Sequence, residues 1–143
     1  GAICEDSSPL WNDEMLSALG LSPEDLSATV QRERDKIKRQ TDHFRPGREF
    51  PSLEGRTVII VDDGLATGST MAAAVEFVKS KSPAKVVVAV PMAAASSARR
   101  LRKRVDDFVA VEVREDLISV GEWYDDFSQT SDEEVIQLTN ASH

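Results

Sequence analysis

The sequence predicts an α/β domain in which a parallel sheet is flanked by helices, and three observations lead there. Short apolar runs rich in β-branched residues recur as "RTVIIVDD", "AKVVVAVPM" and "DFVAVEV". The stretches between them, "STMAAAVEFVKSK" and "SSARRLRKRV", have helical spacing. Strand, helix, strand, helix, strand implies right-handed crossovers and parallel pairing. The first run is also continuous rather than alternating, the pattern of a strand covered on both faces. At 143 residues the chain suits one domain over 1–143, large enough to bury a core unaided.

Taken from the start, Gly1 to Cys4 read as the end of a short strand. "NDEMLSALG" reads as a helix capped by Asn12 and stopped by Gly20 in the left-handed conformation. "SPEDLSATVQRERDKIKRQ" opens with Ser22 as cap, Pro23 at the first helical position and acids in the first turn, where they complement the helix dipole. Its apolar positions, Leu26, Val30 and Ile37, are sparse, so most of its surface is expected to meet solvent or a mobile neighbour. Its charged residues Arg32, Glu33, Arg34, Asp35 and Lys36 read as a solvated face. "TDHFRPGREFPSLEG" reads as a loop. Beyond it, Met71, Val75 and Val78 share one helix face, and Ser96 or Ser97 caps the next helix. "TSDEEVIQLTN" forms a closing helix with a capping box from Ser131 to Glu134.

Composition narrows the classes of function. A net charge of −8 argues against general affinity for nucleic acid or anionic membrane, and points to small ligands or protein partners. The single cysteine, Cys4, has no internal partner and reads as an inert thiol of a reducing compartment. No apolar run approaches the roughly 18 residues of a membrane span, and the N-terminus lacks a basic-then-apolar signal, so a cytoplasmic protein is expected.

Chemistry concentrates in "VIIVDDGLATGSTMAAAV", Val58 to Val75. Ligands of parallel sheets bind at the carboxyl ends of strands, where Asp62 and Asp63 fall. Gly64 and Gly68 let main chain approach a ligand, and the amides of the turn and of the helix starting near Ser69 form an anion cradle. Thr67, Ser69 and Thr70 add hydroxyl donors. The two carboxylates suit the neighbouring hydroxyls of a ribose, with a hydrated Mg²⁺ at their edge. Phosphate beside a vicinal diol describes a pentose 5-phosphate. A Walker A loop is excluded, because "GLATGST" lacks the lysine after its second glycine, and a dinucleotide fingerprint is absent. A phosphate-accepting regulatory domain also has an acidic pair at a strand end, but here the next strands end in "PM" and "EVR", without a lysine opposite the acids. The plain alternative is that the aspartates cap the turn and the glycines shape it.

"VIIVDDGLATGST" resembles the ribose-phosphate motif of type I phosphoribosyltransferases, with spacing closest to the adenine phosphoribosyltransferase version. "GAICEDSSP", "VVVAVPMAAASSARRLR" and "SVGEWYDDFSQTSDEEV" extend the likeness to bacterial and archaeal members of unassigned substrate. The resemblance implies a Rossmann-like fold and a reaction in which a nitrogenous base or related nucleophile attacks C1 of 5-phosphoribosyl 1-pyrophosphate (PRPP), releasing pyrophosphate. It implies Asp62 and Asp63 as the catalytic pair holding the ribose, and Ala66, Thr67, Gly68, Ser69 and Thr70 on the phosphate. Mg²⁺ arrives with PRPP rather than on direct protein ligands. Hypoxanthine-type enzymes carry an aspartate where this chain has Ala66, so a base from the loop is not available and the acceptor stays open. Residues 31–54 correspond to a mobile hood, from which Arg45 and Arg48 could neutralise the leaving pyrophosphate; solvation of a surface loop is the plainer reading of each. Family members carry a further strand and a glycine-containing pyrophosphate loop ahead of the part matched here. The resemblance therefore implies a longer polypeptide or a second chain completing the site, with a homodimer usual. It leaves a second reading, a non-catalytic sensor that binds PRPP or a nucleotide.

Trp123 and Tyr124 in "GEWYDDF" follow the last strand, and either could stack on an acceptor base; core packing is the rival for Trp123. The five basic residues of "ARRLRKR" read as an exposed helix face. His43 and His143 are isolated and suggest no zinc site.

Overall fold

The computed structural model describes residues 1–5 and 8–141. Three parallel strands, β1 (Thr57–Val61), β2 (Lys85–Ala94) and β3 (Asp107–Arg114), lie side by side in the order β1-β2-β3. Register sets Val61 beside Ala89, and Ala89 beside Val109. Five α-helices accompany them among the described residues: α1 (Asp13–Leu19), α2 (Ser27–Phe44), α3 (Ser69–Lys79), α4 (Ala95–Leu101) and α5 (Asp132–Ala141). The architecture is the Rossmann-like α/β arrangement that the sequence predicts.

The core lies on one face of the sheet. Met71, Ala72 and Val75 of α3 and Ala98 and Leu101 of α4 pack on Val88 and Val90 of β2, flanked by Ile60, Phe108 and Ala110. Strands that follow one another in a single direction, joined by crossovers of one hand, send both crossover helices to the same side. The opposite face therefore has no helix from this βαβαβ unit. Ile59 is 60% exposed, Val61 71% and Val111 86%, and Val109 shares that face. Among the described residues this face of β1 is exposed, where the sequence predicts cover on both faces.

Several boundaries also move. The strand expected at Gly1–Cys4 is a single antiparallel bridge between Ala2 and Leu10. Asn12 caps α1 through a 3.0 Å bond accepted from the Met15 amide, and Gly20 closes it at φ +63°, as the sequence predicts. Ahead of α2, the Asp25 carboxylate accepts from both the amide and the hydroxyl of Ser22, tightening residues 24–26 into a 3₁₀ turn, so the α-helix proper starts at Ser27. Its far end runs through Phe44, into the expected loop. Pro46 is the effective stop, because the residue before a proline is driven out of the helical region. His43 Nε2 lies 3.4 Å from the Asp132 carboxylate at the start of α5. No residue of α2 is buried, as its sparse apolar stripe predicts.

The expected caps of α4 are corrected as well. The helix begins at Ala95 with no side-chain cap, and Ser97 is a buried residue within it. Of the basic run, only Arg99 and Arg100 belong to the helix; the rest follow its end. At α5, Ser131 accepts from the Glu134 amide at 3.2 Å, which supplies half of the expected box. No helix of the described residues is long and apolar enough to cross a membrane.

A bare apolar sheet face of this kind binds apolar dyes. Val61→Lys combined with Val111→Lys is expected to lower fluorescence of an apolar-surface dye while changing unfolding free energy by no more than about 2 kcal/mol, the span of strand propensities at two sites. Unchanged fluorescence contradicts an open face.

Candidate functional site

The chain leaves β1 at Asp62 and enters α3 at Ser69, and the turn between them is fixed residue by residue. Asp62 is half-buried, and its Oδ1 accepts from the Asp63 amide at 3.0 Å. Burial pushes the Asp62 carboxyl above its ordinary range; the Asp63 amide opposes this and the neighbouring Asp63 charge adds to it. Asp63 is exposed, and its carbonyl accepts a 2.7 Å bond from the Tyr124 hydroxyl.

Gly64 is held for want of space. A Cβ there would lie 2.7 and 2.8 Å from the two Val120 methyls and 3.1 Å from Met92 Cγ. Leu65, only 2% exposed, docks on the end of β2: its amide donates to the Met92 carbonyl at 3.0 Å, and its carbonyl accepts from the Ala94 amide at 2.7 Å. One residue of the turn thus behaves as a strand.

The rest of the turn leans on α4. Ser97 Oγ donates to the Ala66 carbonyl at 2.6 Å, and Arg100 donates through Nη2 to the Thr67 carbonyl. Gly68 sits at φ +68°, and its carbonyl accepts from the Ala72 amide at 2.9 Å, opening α3. The amides of Ala66, Thr67, Gly68, Ser69 and Thr70 take no partner among the described residues. A turn whose carbonyls are engaged and whose amides are open is an anion cradle at a helix N-terminus. Beside it stand two carboxylates, one half-buried and one exposed. The arrangement can hold a phosphate and a vicinal diol at once.

The other sequence candidates are distributed around this centre. Tyr124 rests near Met92 and Leu117 with its ring 5.2 Å from Phe127, so besides its ring it contributes a hydroxyl to the turn. Trp123 is 42% exposed and carries the Arg114 guanidinium 4.5 Å above its ring; Asp116 holds that guanidinium in place. Arg45 pairs with Glu5 and lies 5.0 Å from the Phe50 ring, and Arg48 donates to Asn140 at 3.3 Å. Among the described residues neither arginine bonds to the turn. Between α2 and the N-terminal segment opens a cavity of about 510 Å³, walled by Ile3, Trp11, Val30 and Ile37 and reaching Thr70. Arg32 bonds Thr29 rather than an acid. Cys4 is half-buried, which pushes its thiol up and leaves little thiolate. His143 lies outside the described residues.

Sequence reasoning missed Ser97 and Arg100 as parts of the site and gave Tyr124 a ring role alone. The bonds of Ser97 and Arg100 span 31 and 33 residues, so no local pattern shows them. The small-residue run "MAAASSA" was the available signal, since small side chains permit close approach.

Residues 4–130 match the family model described as the phosphoribosyl transferase domain. A Mycobacterium tuberculosis protein, provisionally named a phosphoribosyl transferase and known from strains CDC 1551 / Oshkosh and H37Rv, is 34% identical over 143 residues. That match takes in 100% of this chain and 32% of the relative, so the chain spans about a third of the length of these curated relatives. The crystal structure of TT1426 from Thermus thermophilus superposes with a TM-score of 0.72 at 37% identity, over 85% of this chain and 58% of that one.

Two glycines test how tightly the turn is held. Gly20 and Gly68 share a left-handed φ, but an added Cβ meets nothing within 4 Å at Gly20 and meets Ser97 Cβ at 3.3 Å at Gly68. By urea unfolding, Gly20→Ala is expected to cost about 1 kcal/mol, the left-handed penalty alone. Gly68→Ala is expected to cost more than that; equal costs contradict close packing of α4 on the turn.

Proposed function

From the premise that the chain belongs to the phosphoribosyl transferase domain family, we propose that it binds the ribose-phosphate end of PRPP at Asp62–Thr70 and serves transfer of that phosphoribosyl group to a nitrogenous nucleophile, with release of pyrophosphate. One observation carries this reading: two carboxylates end β1 immediately before a turn whose five consecutive amides, Ala66 to Thr70, are open.

In this reading the 5-phosphate lies on those amides, with Thr67, Ser69 and Thr70 hydroxyls beside it. Asp62 and Asp63 accept from the 2- and 3-hydroxyls. The bond from C1 to the diphosphate breaks as the nucleophile approaches, and the ribosyl ring passes through positive charge. Carboxylates held against the hydroxyls stabilise that charge more than they stabilise the neutral ring, which is the differential interaction catalysis requires. Mg²⁺ bound with the diphosphate would supply charge neutralisation for the leaving group, and the exposed Asp63 carboxylate would hold it through its water shell. The α2 segment, without a buried residue, is suited to move as a hood over the ligand. Trp123, with one face occupied by Arg114, offers its other face to a planar acceptor.

The sensor reading has its own support in the hood arginines. Arg45 on Glu5 and Arg48 on Asn140 are engaged away from the turn, so binding in this reading rests on the turn and its two aspartates without the arginines.

Calorimetric titration with PRPP and Mg²⁺, ribose 5-phosphate and inorganic phosphate tests the binding. Ribosyl ligands are expected to bind at least tenfold more tightly than phosphate, and Asp62→Asn to remove that advantage; equal affinity for all three removes the assignment. Product analysis with candidate bases separates transfer from sensing.

Asp62 also sets a pH dependence. Its folded carboxyl holds a proton to higher pH than in the unfolded chain, so ionising it costs stability, beginning above the ordinary value of 3.8 and complete above the raised one. Asp62→Asn is therefore expected to leave the melting temperature at pH 7 unchanged or higher. The ratio of ribose 5-phosphate to phosphate affinity is expected to fall on acidification at a pH above that of ordinary carboxylates, and to be flat in Asp62→Asn.

A further inference from the structure

We propose that Ser97 and Arg100 of α4 are positioning residues that orient the phosphate-binding amides, acting on the far side of the turn from the ligand. The proposal rests on reading Ala66–Thr70 as the phosphate site. A trans peptide is planar, and the carbonyl of one residue points opposite to the amide of the next. Ser97 Oγ, in a residue 2% exposed, takes the Ala66 carbonyl toward α4 at 2.6 Å, which turns the Thr67 amide away from α4. Arg100 takes the Thr67 carbonyl to the same helix, which turns the Gly68 amide the same way. Two consecutive peptide planes thus present their amides in common. Gly68 at φ +68° then carries the chain into α3, whose first amides follow.

Without these bonds a plane can rotate about the flanking dihedrals and bring a carbonyl to the cradle, where its partial negative charge opposes an anion. Orientation before binding is the useful state, because a turn that must reorganise loses affinity by the population in the wrong state. Charge strengthens the effect: a guanidinium on a carbonyl polarises that peptide and makes its amide a better donor. Space supports it too. A Cβ on Gly68 would meet Ser97 Cβ at 3.3 Å and Arg100 Nη2 at 3.6 Å, so α4 lies directly against the turn.

The test uses the full chain and inorganic phosphate, followed by ¹⁵N–¹H resonances of Thr67 and Gly68 together with calorimetric affinity. In the unaltered protein both amide protons are expected to move downfield at saturation. Ser97→Ala and Arg100→Met are each expected to weaken phosphate and ribose 5-phosphate binding roughly three- to tenfold, the range of one hydrogen bond. Each is also expected to reduce the downfield movement of the amide whose plane it no longer holds, Thr67 for Ser97→Ala and Gly68 for Arg100→Met. Arg100→Lys, which keeps charge and a donor, is expected to recover most of the loss. Arg100 is exposed, so its variants keep the test open if Ser97→Ala fails to fold. Unchanged shifts and affinity in Arg100→Met, with phosphate still bound, overturn the positioning role and leave the phosphate reading intact. Failure of the unaltered protein to bind phosphate overturns both.

Discussion

Leu65 is the anchor on which the rest of the site depends. A turn between a strand and a helix has carbonyls and amides that water would otherwise satisfy, and its shape is then undefined. Here one apolar side chain is driven into the core, and its backbone is bonded on both sides to Met92 and Ala94 at the end of β2. That single strand-like residue splits the turn in two. The half before it presents carboxylates, and the half after it presents amides. Hydrophobic burial, worth roughly 1.5–3 kcal/mol for a fully buried leucine, thus fixes a polar geometry that has little driving force of its own.

The carbonyls complete the arrangement. Asp63 is held by Tyr124, Leu65 by Ala94, Ala66 by Ser97, Thr67 by Arg100 and Gly68 by Ala72, so β2, α3, α4 and the segment after β3 all converge on one turn. Each bond removes an acceptor that would compete with an anion. The half-buried Asp62 shows the opposing cost. Its charge is disfavoured by the same packing that locates it, which is the usual relation between a site and its scaffold.

The two sides of the sheet are unequal for a topological reason. Sequential strand order and one crossover hand bring α3 and α4 together, and that pairing is what places Ser97 and Arg100 against the start of α3. The same rule leaves Ile59, Val61 and Val111 without cover from this unit. The close-packed face and the open face are consequences of one connectivity. Helix α2, outside both layers and unburied throughout, has the least packing to restrain it.

Local chemistry was legible in the sequence. Asn12 and Gly20 fixed both ends of α1, Met71, Val75 and Val78 fixed the buried face of α3, and the run of acids, glycines and hydroxyls from Asp62 to Thr70 identified the turn. These depend on neighbours within a few residues, so spacing reveals them. Tertiary structure decided what spacing cannot carry. The apolar run of β1 reads alike whether one face is packed or both, because burial depends on which side the crossovers take. Ser97 reads as a cap and Arg100 as a solvated charge until α4 is seen against the turn. Tyr124 shows as an aromatic in the sequence and as a hydroxyl donor only in the fold. Residue type determined what each group could do, and long-range packing, with partners 31 to 61 residues apart, determined which atom it does it to.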